Sequence, residues 1–299
     1  MDLTLWPLVS QPWPDLCAAV DLVEDLGWHG VMVEDHFMAD GGGFGAVTDP
    51  RFEVTSVLSA LAVATTSLRF APLVMSATYR HPAVVANWAA TIDQISGGRF
   101  TLGLGAGWQR NEHEQYGIEL GTPGERVDRL DEYCSVVRSL LNLPSTDFRG
   151  RFFELSNAWC EPKPVQQPLP ILIGGKGDRM LRLVARHADM WNMWAMPEVF
   201  AERSQLLDRT CEQIDRDPRT VRRSTQALVC ITDSESQARA FVEAAGGRAA
   251  FAGTAEQLAE LAWQWADAGV DELVIPDWHL GRGAQRSESL AAITAALRV

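Results

Sequence analysis

HPAVVANWAATIDQISGGRFTLGLGAGWQ, His81 to Gln109, decides the fold. Its first half spaces apolar residues three and four apart and puts Pro82 at the first helical position, where a missing N–H is harmless. Its second half is a short apolar run, Phe100–Gly105, that ends in alternating glycines and Trp108. A helix followed by a stop and a buried strand is one unit of a parallel sheet with helical crossovers. Glycine costs conformational entropy at a strand end, so Gly105 and Gly107 predict that something needs the space.

The same unit recurs outward in both directions. Strands are predicted at Leu3–Leu8, Gly30–Glu34, Arg69–Met75, Phe100–Gly105, Ile171–Gly174, Met190–Met193, Thr225–Ile231 and Glu272–Ile275. Helical periods lie between most of them, and the last carries Thr254 as a candidate N-cap and Gly269 as a candidate stop. Eight such units predict one α/β protein over residues 1–299, a (β/α)8 TIM barrel whose site lies at the carboxyl ends of its strands. The fourth and fifth strands stand unusually far apart. The insertion, about residues 106–168, reads as the polar loop RNEHEQYGIELGTPGE, the helix RVDRLDEYCSVVRSLL, the hairpin TDFRGRFFEL and the stiff stretch EPKPVQQPLP. A second irregular segment, MADGGGFGAVTDPR, reads as a lid after the second strand.

Composition narrows the partners. A formal net charge of −13 opposes binding to a phosphate backbone, so a small-molecule substrate is expected and nucleic acid is not. The sequence shows neither a membrane-spanning stretch nor a secretory leader, which predicts a cytoplasmic protein without a membrane partner. Five scattered cysteines form no close pair of the zinc or redox kind. Glu112, His113 and Glu114 are adjacent, cannot all face one ion on regular structure, and predict no metal site.

Four strand ends carry candidate groups. Asp35 and His36 follow the second strand, where they serve either chemistry or local capping and backbone bonding. Gly105, Ala106 and Gly107 either admit a flat ligand to the main chain or make a tight turn with positive φ. Gly174, Gly175 and Lys176 precede the helix DRMLRLVARHA, which suits a phosphate, although a plain turn gives the same pattern. Pro72 interrupts the third strand and predicts a bulge. Trp6, Trp13, Trp191, Trp194 and Trp278 lie at or just beyond strand ends and fit an apolar pocket or ordinary packing.

Together EDHF, the run YRHPAVVANWAATIDQISGGRFTLGLGAGWQRNEHEQYGI and EPKPVQQPLPILIGGKGDRMLRLVARHADMWN resemble the luciferase-like monooxygenase superfamily, in particular its branch that uses the deazaflavin coenzyme F420. The resemblance implies a flat cofactor across the barrel mouth. Gly174, Gly175 and Lys176 would hold its phosphate, and Gly105, Ala106 and Gly107 would approach its rings. It also implies a bulged third strand beneath the rings, with Pro72, Leu73 and Met75 at the cofactor and a non-prolyl cis bond at Pro72–Leu73. Asp35 and His36 would border the reactive face, with Asp35 fixing the imidazole's tautomer. Where sugar-phosphate dehydrogenases of this branch have a catalytic glutamate, this chain has Trp108, and Glu112 is the candidate replacement. Trp6, Trp108, Trp191 and Trp278 would line the substrate pocket.

The implied reaction is hydride transfer between F420 and a small organic substrate. The alternative is an FMN-dependent monooxygenase that draws reduced flavin from a reductase partner, and a further one is a cofactor-binding barrel without chemistry. A homodimer is expected by analogy with related barrels.

Overall fold

The computed structural model describes residues 1–42 and 45–297. The chain opens with β1 (Asp2–Trp6), α1 (Trp13–Asp25), β2 (Gly30–Val33), α2 (Val54–Ala64), β3 (Arg69–Pro72), β4 (Met75–Ser76), α3 (Pro82–Ser96) and β5 (Leu102–Gly105). The insertion contains α4 (Arg110–Tyr116), α5 (Pro123–Asn142) and the antiparallel pair β6 (Thr146–Arg149) and β7 (Glu154–Ala158). Then come β8 (Ile171–Gly174), α6 (Asp178–His187), β9 (Met190–Trp194), α7 (Pro197–Glu212), β10 (Arg222–Gln226), β11 (Leu228–Ile231) and α8 (Glu235–Ala244). The chain ends with β12 (Ala250–Gly253), α9 (Ala255–Asp267), β13 (Glu272–Pro276) and α10 (Gly283–Leu297).

One nine-stranded sheet runs β3-β2-β1-β13-β10-β9-β8-β5-β4, all its pairs parallel, and β3 and β4 are two halves of a single broken strand. A bridge between Phe70 and Phe100 brings β3 to the strand that β4 also joins, so the sheet closes into the expected barrel. Strand residues alternate between two cores. Leu3, Leu5, Val31, Val33, Ile171 and Ile173 face the helices, whereas Trp6, Met32, Ala71, Leu73, Leu172 and Val274 fill the interior. Strands buried on both faces read as continuous apolar runs, which is why they were legible.

Capping explains where the helices start and stop. Pro82 is the first residue of α3, and Gly97 ends it in the left-handed conformation at φ 64°. Thr122 and Glu125 form a reciprocal capping box at α5, and Thr254 and Gln257 form another at α9.

The structure corrects several boundaries. The seventh predicted strand, Thr225–Ile231, is two: β10 stays in the barrel, and β11 leaves after Ala227 to pair with β12 in a small second sheet. Both pieces are covered, so the apolar pattern carries no mark of the change of partner. The polar run after Trp108 is not all loop, because it contains α4, which Gly117 stops at φ 67°. Gly43 and Phe44 of the segment read as a lid lie outside the described residues, but both ends of the segment are fixed. Gln109 Nε2 donates to Met38 O and Asn111 Nδ2 to Ala39 O, each at 2.8 Å, and Arg51 pairs with the buried Glu34.

Candidate active site

The carboxyl ends of the barrel strands surround a cavity of 640 Å³, a size suited to a cofactor-like ligand. One side is built by the broken strand. Leu73 and Val74 both line the cavity, the bond between them is cis, and β4 resumes at Met75. The expectation of a cis bond at Pro72–Leu73 is therefore corrected by one residue. Pro72 and Met75 are not cavity walls: Met75 pairs with Leu104 and is buried toward the helices. Val74 and Ser76 take the places at the cavity that the sequence assigned to them.

This bulge also explains the glycines of β5. A Cβ on Gly103 would lie 2.0 Å from the Pro72 carbonyl oxygen, and one on Gly105 would lie 2.5 Å from Val74 Cγ2. Such distances are far inside contact, so the neighbouring bulged strand occupies the space. Gly105, Ala106 and Gly107 do line the cavity, with Gly107 at φ 80°. The two readings of this turn thus coexist: the backbone needs glycine, and bare main chain faces the cavity.

Gly174, Gly175 and Lys176 line the cavity where β8 meets α6. Gly177 begins α6 without a side-chain cap, and a Cβ placed on it meets nothing within 4 Å. Helix amides without a side-chain cap, the positive end of the helix dipole and the exposed Lys176 together suit a phosphate. Trp191, expected in the pocket, is fully buried behind this turn. Its Nε1 donates to Gly175 O at 2.7 Å, and its ring stacks on Phe200 at 5.2 Å. Inward and outward positions alternate along β9, so Asn192 and Trp194 reach the cavity in its place.

A polar network borders the opposite lip. His36 Nδ1 donates to Glu112 Oε1 at 2.7 Å, and the Phe37 amide donates to Glu112 Oε2 at 2.8 Å. The Tyr79 hydroxyl also donates to Glu112. Glu112 is fully buried, yet the bonds from His36, Tyr79 and Phe37 outweigh that burial and hold its carboxyl below the ordinary glutamate value. Burial, then the bond to Glu112, pushes the Tyr79 phenol far up, so it remains a donor. With Nδ1 carrying the proton, Nε2 is the basic atom of a neutral His36 ring.

Asp35 does not perform the role expected of it. Its carboxylate accepts from Arg80 Nη1 at 2.8 and 3.0 Å and from the Ser76 amide at 3.0 Å, and Arg80 Nη2 also reaches Glu53 Oε1 at 2.7 Å. Burial pushes the Asp35 acid upward against the pull of Arg80. Asp35 therefore pins β4 to β2, and Glu112 is the group that orients His36. His113, next to Glu112 in the sequence, accepts from Thr78 Oγ1 at 2.7 Å and donates from Nδ1 to Gln109 O at 2.6 Å.

The remaining wall is aromatic and apolar. Trp6 and Trp194 line the cavity at a ring separation of 5.8 Å, and Trp278 packs edge-on to Trp6 at 4.8 Å without forming the wall. Trp108 is 53% exposed at the mouth and sits edge-on to His36 at 5.4 Å. Sequence reasoning missed Gln226 and the turn Gly246-Gly247-Arg248, which also line the cavity. Gly246 and Gly247, both at positive φ, were the available signal for that turn, but it lies outside the strand ends that barrel logic searches.

A parallel barrel with a bulged strand and a glycine-lined mouth defines a TIM-barrel enzyme scaffold, and family comparison specifies it. The chain belongs to the luciferase-like monooxygenase family, whose model matches residues 2–272. It is 35% identical over 184 residues to the pyrimidine monooxygenase RutA of Escherichia coli (strain K12), a match covering 58% of this chain and 48% of the relative. The RutA of Cronobacter turicensis is 37% identical over 152 residues, covering 49% of this chain and 40% of that protein. The chain thus spans about half the length of the curated relatives it matches.

Among solved structures, an F420-dependent secondary alcohol dehydrogenase bound to an F420-acetone adduct aligns with a TM-score of 0.86 at 18% identity, covering 100% of this chain and 99% of that one. EDTA monooxygenase (EmoA) from Chelativorans sp. BNC1 aligns at 0.84 and 13% identity, covering 100% and 93%. These likenesses establish the fold.

Proposed function

We propose that this protein is an FMN-dependent monooxygenase acting on a small organic substrate, with reduced flavin delivered by a reductase partner. The observation that carries this reading over F420-dependent hydride transfer is the 35% identity over 184 residues to a pyrimidine monooxygenase. Oxygen chemistry then selects the cofactor, because a deazaflavin lacks the ring nitrogen that gives flavins their oxygen reactivity. When bound, reduced flavin supplies the electrons for oxygen activation, and the protein supplies position and electrostatics.

The residues fit such a group. Gly174, Gly175 and Lys176 with the α6 amides would hold the phosphate, while Leu73 and Val74 would support one ring face beside Gly105 and Gly107. His36, held by Glu112, borders the substrate side and exchanges a proton at Nε2. Trp108 and the Trp6–Trp194 wall exclude water from that side. Asp35, which also lines the cavity, holds β4 through the Ser76 amide.

The test is oxygen uptake with FMN, a flavin reductase and a panel of neutral heterocycles, with oxygen-18 incorporation into product as the readout. Labelled product is expected. Turnover with F420 and the same panel, without labelled oxygen in product, would reinstate hydride transfer. Stoichiometric cofactor binding without any turnover would favour a non-catalytic barrel.

A further inference from the structure

Two hydroxyls lead from the cavity wall to a buried imidazole that proton exchange at His36 does not use. Ser76 lines the cavity beside Gly107, and β4 turns it inward because Met75 before it packs toward the helices. Its Oγ lies 2.6 Å from Thr78 Oγ1, which lies 2.7 Å from His113 Nε2. His113 Nδ1 ends the relay 2.6 Å from Gln109 O, and the residue is 1% exposed. A Cβ on Gly107 would lie 2.4 Å from Ser76 Oγ and 3.0 Å from Thr78 Oγ1, so the bare turn leaves room for both hydroxyls.

The direction of each proton follows from the far end of the relay. A carbonyl oxygen only accepts, so His113 Nδ1 carries the proton and Nε2 of the neutral ring only accepts. Thr78 Oγ1 therefore donates its one hydrogen to Nε2 and accepts from Ser76 Oγ. Ser76 in turn commits its hydrogen to Thr78 and keeps only lone pairs, one of which receives the Thr78 amide at 3.4 Å. Toward the cavity, Ser76 offers an acceptor and no donor.

The acceptor stands between two parts of the site. The Ser76 amide donates to Asp35 Oδ2 at 3.0 Å, and Asp35 directly precedes His36, so Ser76 joins the Leu73–Val74 bulge to the lip that carries the imidazole. Two electrons and one proton convert oxidised FMN to FMNH−, and the proton goes to the ring nitrogen N5, which changes from acceptor to donor. We propose that the relay of Ser76, Thr78 and His113 holds an acceptor toward N5 and thereby binds reduced FMN in preference to oxidised FMN. This rests on the proposed function for the identity of the cofactor. Ser76 is the member that touches the ligand, and Thr78 and His113 are positioning residues that act through it.

Spectroelectrochemical titration of bound FMN, on the native protein and on Ser76→Ala, Thr78→Val and Thr78→Ser, tests this. Ser76→Ala and Thr78→Val are each expected to lower the ratio of reduced to oxidised affinity about three- to tenfold, a fall of about 15–30 mV in the two-electron potential. Thr78→Ser keeps the hydroxyl and is expected to keep the native potential. A merely structural role would weaken both redox states alike, so an unchanged potential in Ser76→Ala and Thr78→Val overturns the proposal. A potential that falls equally in Thr78→Ser overturns it too, because the hydroxyl is then not the cause. Two-bond proton–nitrogen NMR of the flavin-free protein, with His113 assigned through His113→Gln, is expected to place the ring proton on Nδ1. A proton on Nε2 would reverse the relay and contradict the account. Failure of FMN to bind the native protein would instead refute the proposed function, while the NMR result still decides which way the relay points.

Discussion

Glu112 shows how much a single buried side chain can organise. It gathers the His36 ring, the Tyr79 hydroxyl and the Phe37 amide on one carboxylate, so its loss frees the imidazole and leaves two donors without an acceptor. Glu112→Gln is expected to lower kcat about tenfold or more and to leave the KM for FMN nearly unchanged. Equal losses in FMN binding and turnover would place Glu112 at the cofactor instead. Lys176→Ala is expected to weaken FMN binding several-fold, read by fluorescence titration, through loss of a charge-assisted hydrogen bond. Asp35→Ala removes the acceptor of Arg80 Nη1 and of the Ser76 amide while Arg80 keeps Glu53, and is expected to cost about 1–3 kcal/mol in urea unfolding. The residues at strand ends were legible because barrel logic says where to look. The partner of His36 was not, since Glu112 lies 76 positions away and nothing in sequence spacing reports that contact.

At the scale of elements, the helices and barrel strands were readable because each leaves a period or a cap. The break in the third strand was readable through Pro72 and Leu73 lines the cavity as expected, but Val74 and Ser76 stand there in place of Pro72 and Met75. Helix α4 escaped because its inward residues, Glu112 and His113, are polar, and helical patterning detects apolar faces. Polar loop anchors give a pH prediction. Glu24 accepts from the Thr66 and Ser67 amides, and although burial opposes it, these bonds lower its pKa to about 2. Glu53, bonded to Thr55, the Ser56 amide and Arg80, is likewise lowered to about 2. A carboxyl whose folded pKa is depressed stabilises the fold above its ordinary value of 4.5 and loses that contribution as pH falls toward 2. Stability should therefore decline across that window, and Glu24→Gln should flatten the decline. An identical acid-unfolding curve in the variant would remove Glu24 from the account.

The whole molecule is a barrel that keeps its chemistry at one end, and no helix among the described residues is long and apolar enough to cross a membrane. Outside the mouth, α2 exposes Val63 and α3 exposes Val84 and Ile95, and we propose that two copies of the chain pair through these helices. Light scattering is expected to give twice the chain mass of 32.9 kDa, and Val63→Asp with Val84→Asp should return it to the single-chain value. The central claim concerns the other end: FMN occupies the cavity between the β3–β4 bulge and the glycine turns. Its most direct measurement is a paired fluorescence titration of the purified protein with FMN and with F420, repeated for Lys176→Ala. Saturable FMN binding that weakens in the variant, with little response to F420, is predicted, and tight F420 binding with no response to FMN would contradict it.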